Sequence, residues 1–113
     1  MKRRLQTRYD PKADPVVTSF SAEIHQRLGQ HLRQLCLFGS RARGDARADS
    51  DYDMLVVVDQ RSPEIRAIIL DIEVNILDQH QALVASIVRS EDEWLCGQGF
   101  PLARNIARES VQL

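Results

Sequence analysis

The chain has 113 residues, 15 basic and 16 acidic, for a formal net charge of −1, so it is one domain with a single core and no global field that would draw it to nucleic acid. Only 5% of the residues are aromatic, too few for a base-stacking platform. Two cysteines exclude a disulfide framework, and no apolar run is long enough to span a membrane.

Residues 1–15 are polar, carry Pro11 and Pro15, and include the cluster Lys2, Arg3, Arg4, Arg8 and Lys12. They read as an irregular arm, with the domain at 16–113. From Thr18 onward, Phe20, Ile24, Leu28 and Leu32 recur every fourth residue, which predicts an amphipathic helix capped by Ser19 or Ser21. The run 34–38 is too short for a helix and reads as a buried strand holding Cys36. Gly39-Ser40 ends it, Arg41-Ala42-Arg43 makes one helical turn closed by Gly44, and 45–50 is a polar loop. Asp51–Val58 is a second strand, apolar enough to be buried on both faces.

Ser62-Pro63-Glu64 is a helix start, with Ser as cap and Pro at the first position. The stretch after it reads two ways. Ile65, Ile69, Ile72 and Ile76 form a helical stripe reaching about Asp78, whereas Ile72, Val74 and Ile76 alternate with Glu73 and Asn75 as in a strand. With the helix, the third strand falls at 83–88. Ser90 then caps a short helix through the acidic residues Glu91, Asp92 and Glu93, and that helix carries Trp94. Gly97 and Gly99 break it, and Pro101 opens a last helix with Leu102 and Ile106 on its buried side. The order is that of an α/β (α+β) domain. His25, His31 and His80 lack metal-site spacing. With no signal peptide or membrane span evident, a cytoplasmic location is expected.

The stretch 35–59 carries the chemistry. A strand that ends in Gly-Ser and turns into a helix presents backbone N–H groups to an anion. Gly39 permits close approach, Ser40 adds a hydroxyl, and Arg41 and Arg43 offer charge-assisted bonds to phosphate oxygens. Asp51 and Asp53, two apart on a strand, point to the same face. Two carboxylates so close repel unless a cation lies between them, and hard ions such as Mg²⁺ take oxygen ligands and share them with substrate phosphates. Tyr52 faces the other way, into packing. Gly-Ser followed after ten residues by Asp-x-Asp arises by chance in a chain this long with a frequency on the order of 10⁻³.

Gly39-Ser40, ten residues, then Asp51-Tyr52-Asp53 resembles the signature of the DNA polymerase β-type nucleotidyltransferase superfamily. The GSRARG opening is similar to its minimal, stand-alone prokaryotic branch, as are SEDEW and the ending PLARNIARESVQL. The resemblance implies a small mixed β-sheet with helices packed on it, and transfer of a nucleoside monophosphate, AMP from ATP, to a hydroxyl. It implies Gly39 and Ser40 on the triphosphate, Arg41 at the terminal phosphates, and Mg²⁺ on Asp51 and Asp53. It also favours the helical reading of 63–78. The family's third acid lies on the third strand, yet 83–88 contains none; were 72–77 the strand, Glu73 would serve.

Minimal members are often antitoxins encoded beside a HEPN-type ribonuclease toxin, some neutralising it by nucleotidylation. The expected partners are therefore a nucleoside triphosphate and such a toxin, with no membrane and no direct nucleic-acid contact. A degraded transferase that only masks its partner is the competing reading, and a homo-oligomer stays open.

Overall fold

A hydrophobic stripe of about four-residue period and short unbroken apolar runs become the helices and strands of the computed structural model, which describes residues 10–113. Helix α1 runs Pro15–Leu28 and buries Val17, Phe20, Ile24 and Leu28. It starts before Thr18, and neither Ser19 nor Ser21 caps it. Asp14 does so instead, accepting from the Val16 amide at 2.9 Å. The Asp14–Pro15 pair wins because a carboxylate satisfies the first free amide while proline presets the helical φ. Gly29, at φ +54°, ends α1. Of the expected irregular arm, residues 1–9 lie outside the described residues; Pro11–Ala13 is a short 3₁₀ turn with Pro11 buried.

Strand β1 is Leu32–Phe38, α2 is Gly39–Arg43, and β2 is Tyr52–Val58. Helix α3, Pro63–His80, opens on Ser62, whose hydroxyl accepts from the Ile65 amide at 3.1 Å. This settles the ambiguous stretch. Ile65, Ile69, Ile72 and Ile76 all lie on the buried side, whereas Val74, which a strand would have placed with Ile72 and Ile76, is 53% exposed. Strand β3 is Val84–Ser90, α4 is Glu91–Cys96 and α5 is Pro101–Glu109. Ser90 and Glu93 form a reciprocal capping box at α4. Strand β4, Val111–Gln112, has no counterpart among the sequence expectations. Two residues carry no readable alternation; the strand exists because it pairs with β1.

The sheet has the order β3-β2-β1-β4, with β1 antiparallel to both β2 and β4 and β2 parallel to β3. The parallel step needs a crossover, and α3 provides it. One face of the sheet, with Leu35, Leu37, Tyr52, Met54 and Val56, packs against α1 and α3. The other, with Cys36, Leu55 and Val57, packs against Ile106 of α5 and Trp94 of α4. The central strand β2 is thus covered on both sides, as its unbroken apolar run predicts. Among the described residues, no helix is long and apolar enough to cross a membrane.

Candidate active site

Antiparallel pairing of β1 with β2 sets Phe38 opposite Asp53, so the turn that leaves β1 lies beside the start of β2. Gly39 has φ +74°, and a β-carbon built there would collide with the Asp53 carboxylate. Glycine is therefore required twice over, by its left-handed backbone and by the carboxylate packed against it. Gly39 and Ser40 form the first two positions of α2, and Gly44, at φ +85°, closes that helix by donating to the carbonyls of Ser40 and Arg41.

Asp53 alternates with Tyr52 and Met54, which lie in the α1/α3 core, so its carboxylate is on the α5 side of the sheet. Asp51 is exposed and sits just before β2. Partial burial, and then the charge of Asp51, push the Asp53 carboxyl up from its ordinary pKa, while Arg43 pulls it down. Arg43 donates to Asp45 at 3.1 Å and, from α2 to α5, to Glu109 at 3.1 Å. It stands on the rim of the site, its side chain 44% exposed.

Arg41, expected at the terminal phosphates, is engaged by groups of the protein itself. Its Nη2 donates to the carbonyl of Ala48 at 3.1 Å and to that of Ser50 at 2.9 Å. Its guanidinium stacks on the Tyr52 ring, 4.2 Å from the centroid. Tyr52 in turn donates its hydroxyl to Asp14 at 2.8 Å. Burial and the bond to Asp14 push the Tyr52 pKa up to about 12, so the ring stays neutral.

Glu73 does not join the acids. Residues 72–77 are helical, and α3 packs on the face of the sheet opposite to Asp53. Glu73 instead lines a cleft of about 230 Å³ between α3 and β3. The residue that β3 pairs with Asp53 is Ala85, and in a parallel register the two share a face. The position beside Asp53 on β3 thus holds a methyl group.

No cluster of three or more His, Cys, Asp or Glu able to hold a metal occurs among the described residues. Two carboxylates alone fit Mg²⁺ well, because that ion keeps several waters and takes its remaining ligands from substrate phosphates. Asp53, partly buried and packed against the Gly39 turn, and the exposed Asp51 just before it on the chain offer that kind of oxygen donor set.

A mixed sheet carrying a glycine turn against paired acids defines a small α+β domain of the nucleotide-transfer type. The chain belongs to the nucleotidyltransferase domain family, which matches residues 19–113. No curated protein sequence matches it. Its fold is similar to a chain in a toxin–antitoxin crystal structure with AMP-PNP, at TM-score 0.54 and 16% identity, covering 82% of this chain and 68% of that one. It is also similar to a chain in a mutant MntA–HpeT toxin–antitoxin structure, at TM-score 0.53 and 14% identity, covering 81% and 68%. These likenesses support the α+β fold.

Proposed function

We propose that this domain transfers AMP from ATP to a hydroxyl on a partner protein, with Mg²⁺ held by Asp51 and Asp53, and that the partner is a HEPN-type toxin. The observation that carries the reading is the Asp53 carboxylate seated against Gly39, across from the turn that would take the triphosphate. In the reaction the acceptor oxygen attacks the α-phosphorus, the bond from that phosphorus to the bridging oxygen breaks, pyrophosphate leaves with the electron pair, and the hydroxyl proton passes to water. A bound Mg²⁺ supplies charge neutralisation for the attacking and leaving oxygens. The Gly39-Ser40 turn orients the phosphates, Arg43 offsets their charge at the rim, and Asp51 and Asp53 set how deep the phosphate tail reaches. The toxin–antitoxin context of the structural neighbours supports a toxin as the acceptor.

Ala85 favours a second reading. On β3, the position paired with Asp53 offers no carboxylate to receive the proton of the attacking hydroxyl. A chain built this way binds nucleotide and partner but turns over slowly, or masks the partner without modifying it. The deciding experiment gives labelled ATP and Mg²⁺ to the domain together with its partner. Label on the partner, lost with Asp51→Asn, supports transfer; unlabelled partner bound equally tightly by the Asp51→Asn/Asp53→Asn double variant supports masking.

A further inference from the structure

The signature stretch opens on two arginines, Arg41 and Arg43, and the structure gives them different surroundings. Arg43 stands at the rim, where its guanidinium donates to Asp45 and to Glu109. Arg41 faces the α1 side of the sheet through Tyr52 and is anchored at three points: the Ala48 carbonyl, the Ser50 carbonyl and the Tyr52 ring. Its Nε is buried and has no acceptor among the described residues, so the guanidinium is packed in rather than extended toward solvent.

The Ser50 carbonyl belongs to the peptide that leads into Asp51. On the other side of Asp51, the Tyr52 amide donates to the Leu83 carbonyl at 2.9 Å. Asp51 itself is exposed and lies outside the strand ladder. Its backbone is therefore bracketed by two bonds, one from Arg41 and one to Leu83. The loop before it carries a further turn of its own, with the Ser50 N–H donating to the Arg47 carbonyl at 3.1 Å and the Arg47 N–H to the Ser50 hydroxyl at 2.8 Å. Arg41 ties that turn to α2, and through Tyr52 and Asp14 to the N-terminus of α1.

We infer that Arg41 is a positioning residue, which holds the Asp51 carboxylate in place for the metal by clamping the Ala48 and Ser50 carbonyls. This deepens the proposed function and rests on it. A guanidinium suits the task because its planar fork serves a carbonyl pair at its edge and an aromatic ring at its face together. A lysine would keep the charge and lose that geometry.

The test uses Mn²⁺ as the probe, counted as free ion by electron paramagnetic resonance, in the presence and absence of ATP or ADP. Arg41→Ala should weaken Mn²⁺ binding by roughly 10–100-fold, the range seen when a ligand loses its support. The loss should be equal for Mn²⁺ alone, Mn·ADP and Mn·ATP, and should not add to that of Asp51→Asn. Arg41→Lys, with its circular dichroism and melting profile showing a folded chain, should be impaired by a similar factor. Amide exchange at 48–52 should speed up in both Arg41 variants without any metal present. Arg43→Ala should behave in the opposite way, with Mn²⁺ alone bound normally and Mn·ATP weakened.

A loss confined to the nucleotide complexes and growing with phosphate number would make Arg41 a phosphate contact and overturn the inference. So would normal Mn²⁺ binding by a folded Arg41→Lys. If wild type binds Mn²⁺ and Mn·ATP but Arg41→Ala binds them equally, this inference alone falls. If wild type binds neither, the functional reading falls first and takes the inference with it.

Discussion

Replacing Gly39 with alanine tests the contact on which the site depends. Two costs add. A non-glycine residue in the left-handed region loses roughly 1–2 kcal/mol. The new β-carbon also meets the Asp53 carboxylate, and forcing that side chain off its rotamer costs about 0.5–1.5 kcal/mol. The sum, about 1.5–3.5 kcal/mol, should lower the thermal midpoint by roughly 6–20 °C for a domain of this size. A double-mutant cycle separates the two terms. In the Asp53→Ala background the collision is gone and only the backbone cost remains, so Gly39→Ala should destabilise that variant by about 1–2 kcal/mol. Thermal unfolding followed by circular dichroism supplies all four corners of the cycle. Equal costs in both backgrounds would show that Asp53 does not rest against Gly39, and the geometry proposed for the site would be wrong.

Titration and capping give further expected outcomes. Asp53 has its folded pKa raised above the ordinary 3.8, so the folded state holds that proton longer than the unfolded one. The metal-free protein should lose stability as pH rises from about 3.8 through the raised value, and Asp53→Asn should flatten that slope in pH-dependent melts; added Mg²⁺ should do the same. Glu93 behaves oppositely: the Ser90 amide and Arg61 hold its carboxyl down at about 2. Its contribution is full above the unfolded value of 4.5 and disappears as pH falls toward 2, a trend that Glu93→Gln should remove. Ser90→Ala breaks the capping box and should cost about 0.5–2 kcal/mol in denaturant titrations. Tyr52→Phe deletes the hydroxyl that donates to Asp14 and should cost about 1.5–3 kcal/mol, as a bond to a charged acceptor does.

How much of the structure is visible in the sequence depends on the range over which each feature is encoded. The long elements are legible because periodicity is local: the isoleucines of α3 and the Val/Leu run of β2 state their own burial. Ser62 and Ser90 are legible as caps because a side-chain oxygen and the amide it serves lie three residues apart. Asp14 is the cap that the later serines obscure, although the Asp-Pro pair stands in plain view. Within the candidate site, the contact between Gly39 and Asp53 is legible because the turn and the start of the second strand are both marked in the sequence. The surroundings of Arg41 are not. Its partners Ala48 and Ser50 act through backbone carbonyls, which no side-chain identity announces, and strand alternation assigns Tyr52 to packing alone. The bond from Tyr52 to Asp14 spans 38 residues and that from Arg43 to Glu109 spans 66, beyond any pattern read along the chain. Glu73 belongs with the acids only under the strand reading, and helix formation removes it.

All of the groups assigned here to a nucleotide's phosphates or its metal come from one contiguous segment, Gly39 to Asp53, strung between two strands paired along most of their length. No hinge between helices separates them. Breathing of α4 or α5 would leave their mutual distances intact; Gly39 and Asp53 part only if β1 unzips from β2, which amounts to unfolding the core, while Asp51 depends as well on the Arg41 clamp. Affinity for the phosphate tail should therefore persist under mild denaturant nearly to the global midpoint, long after the outer helices have begun to fray.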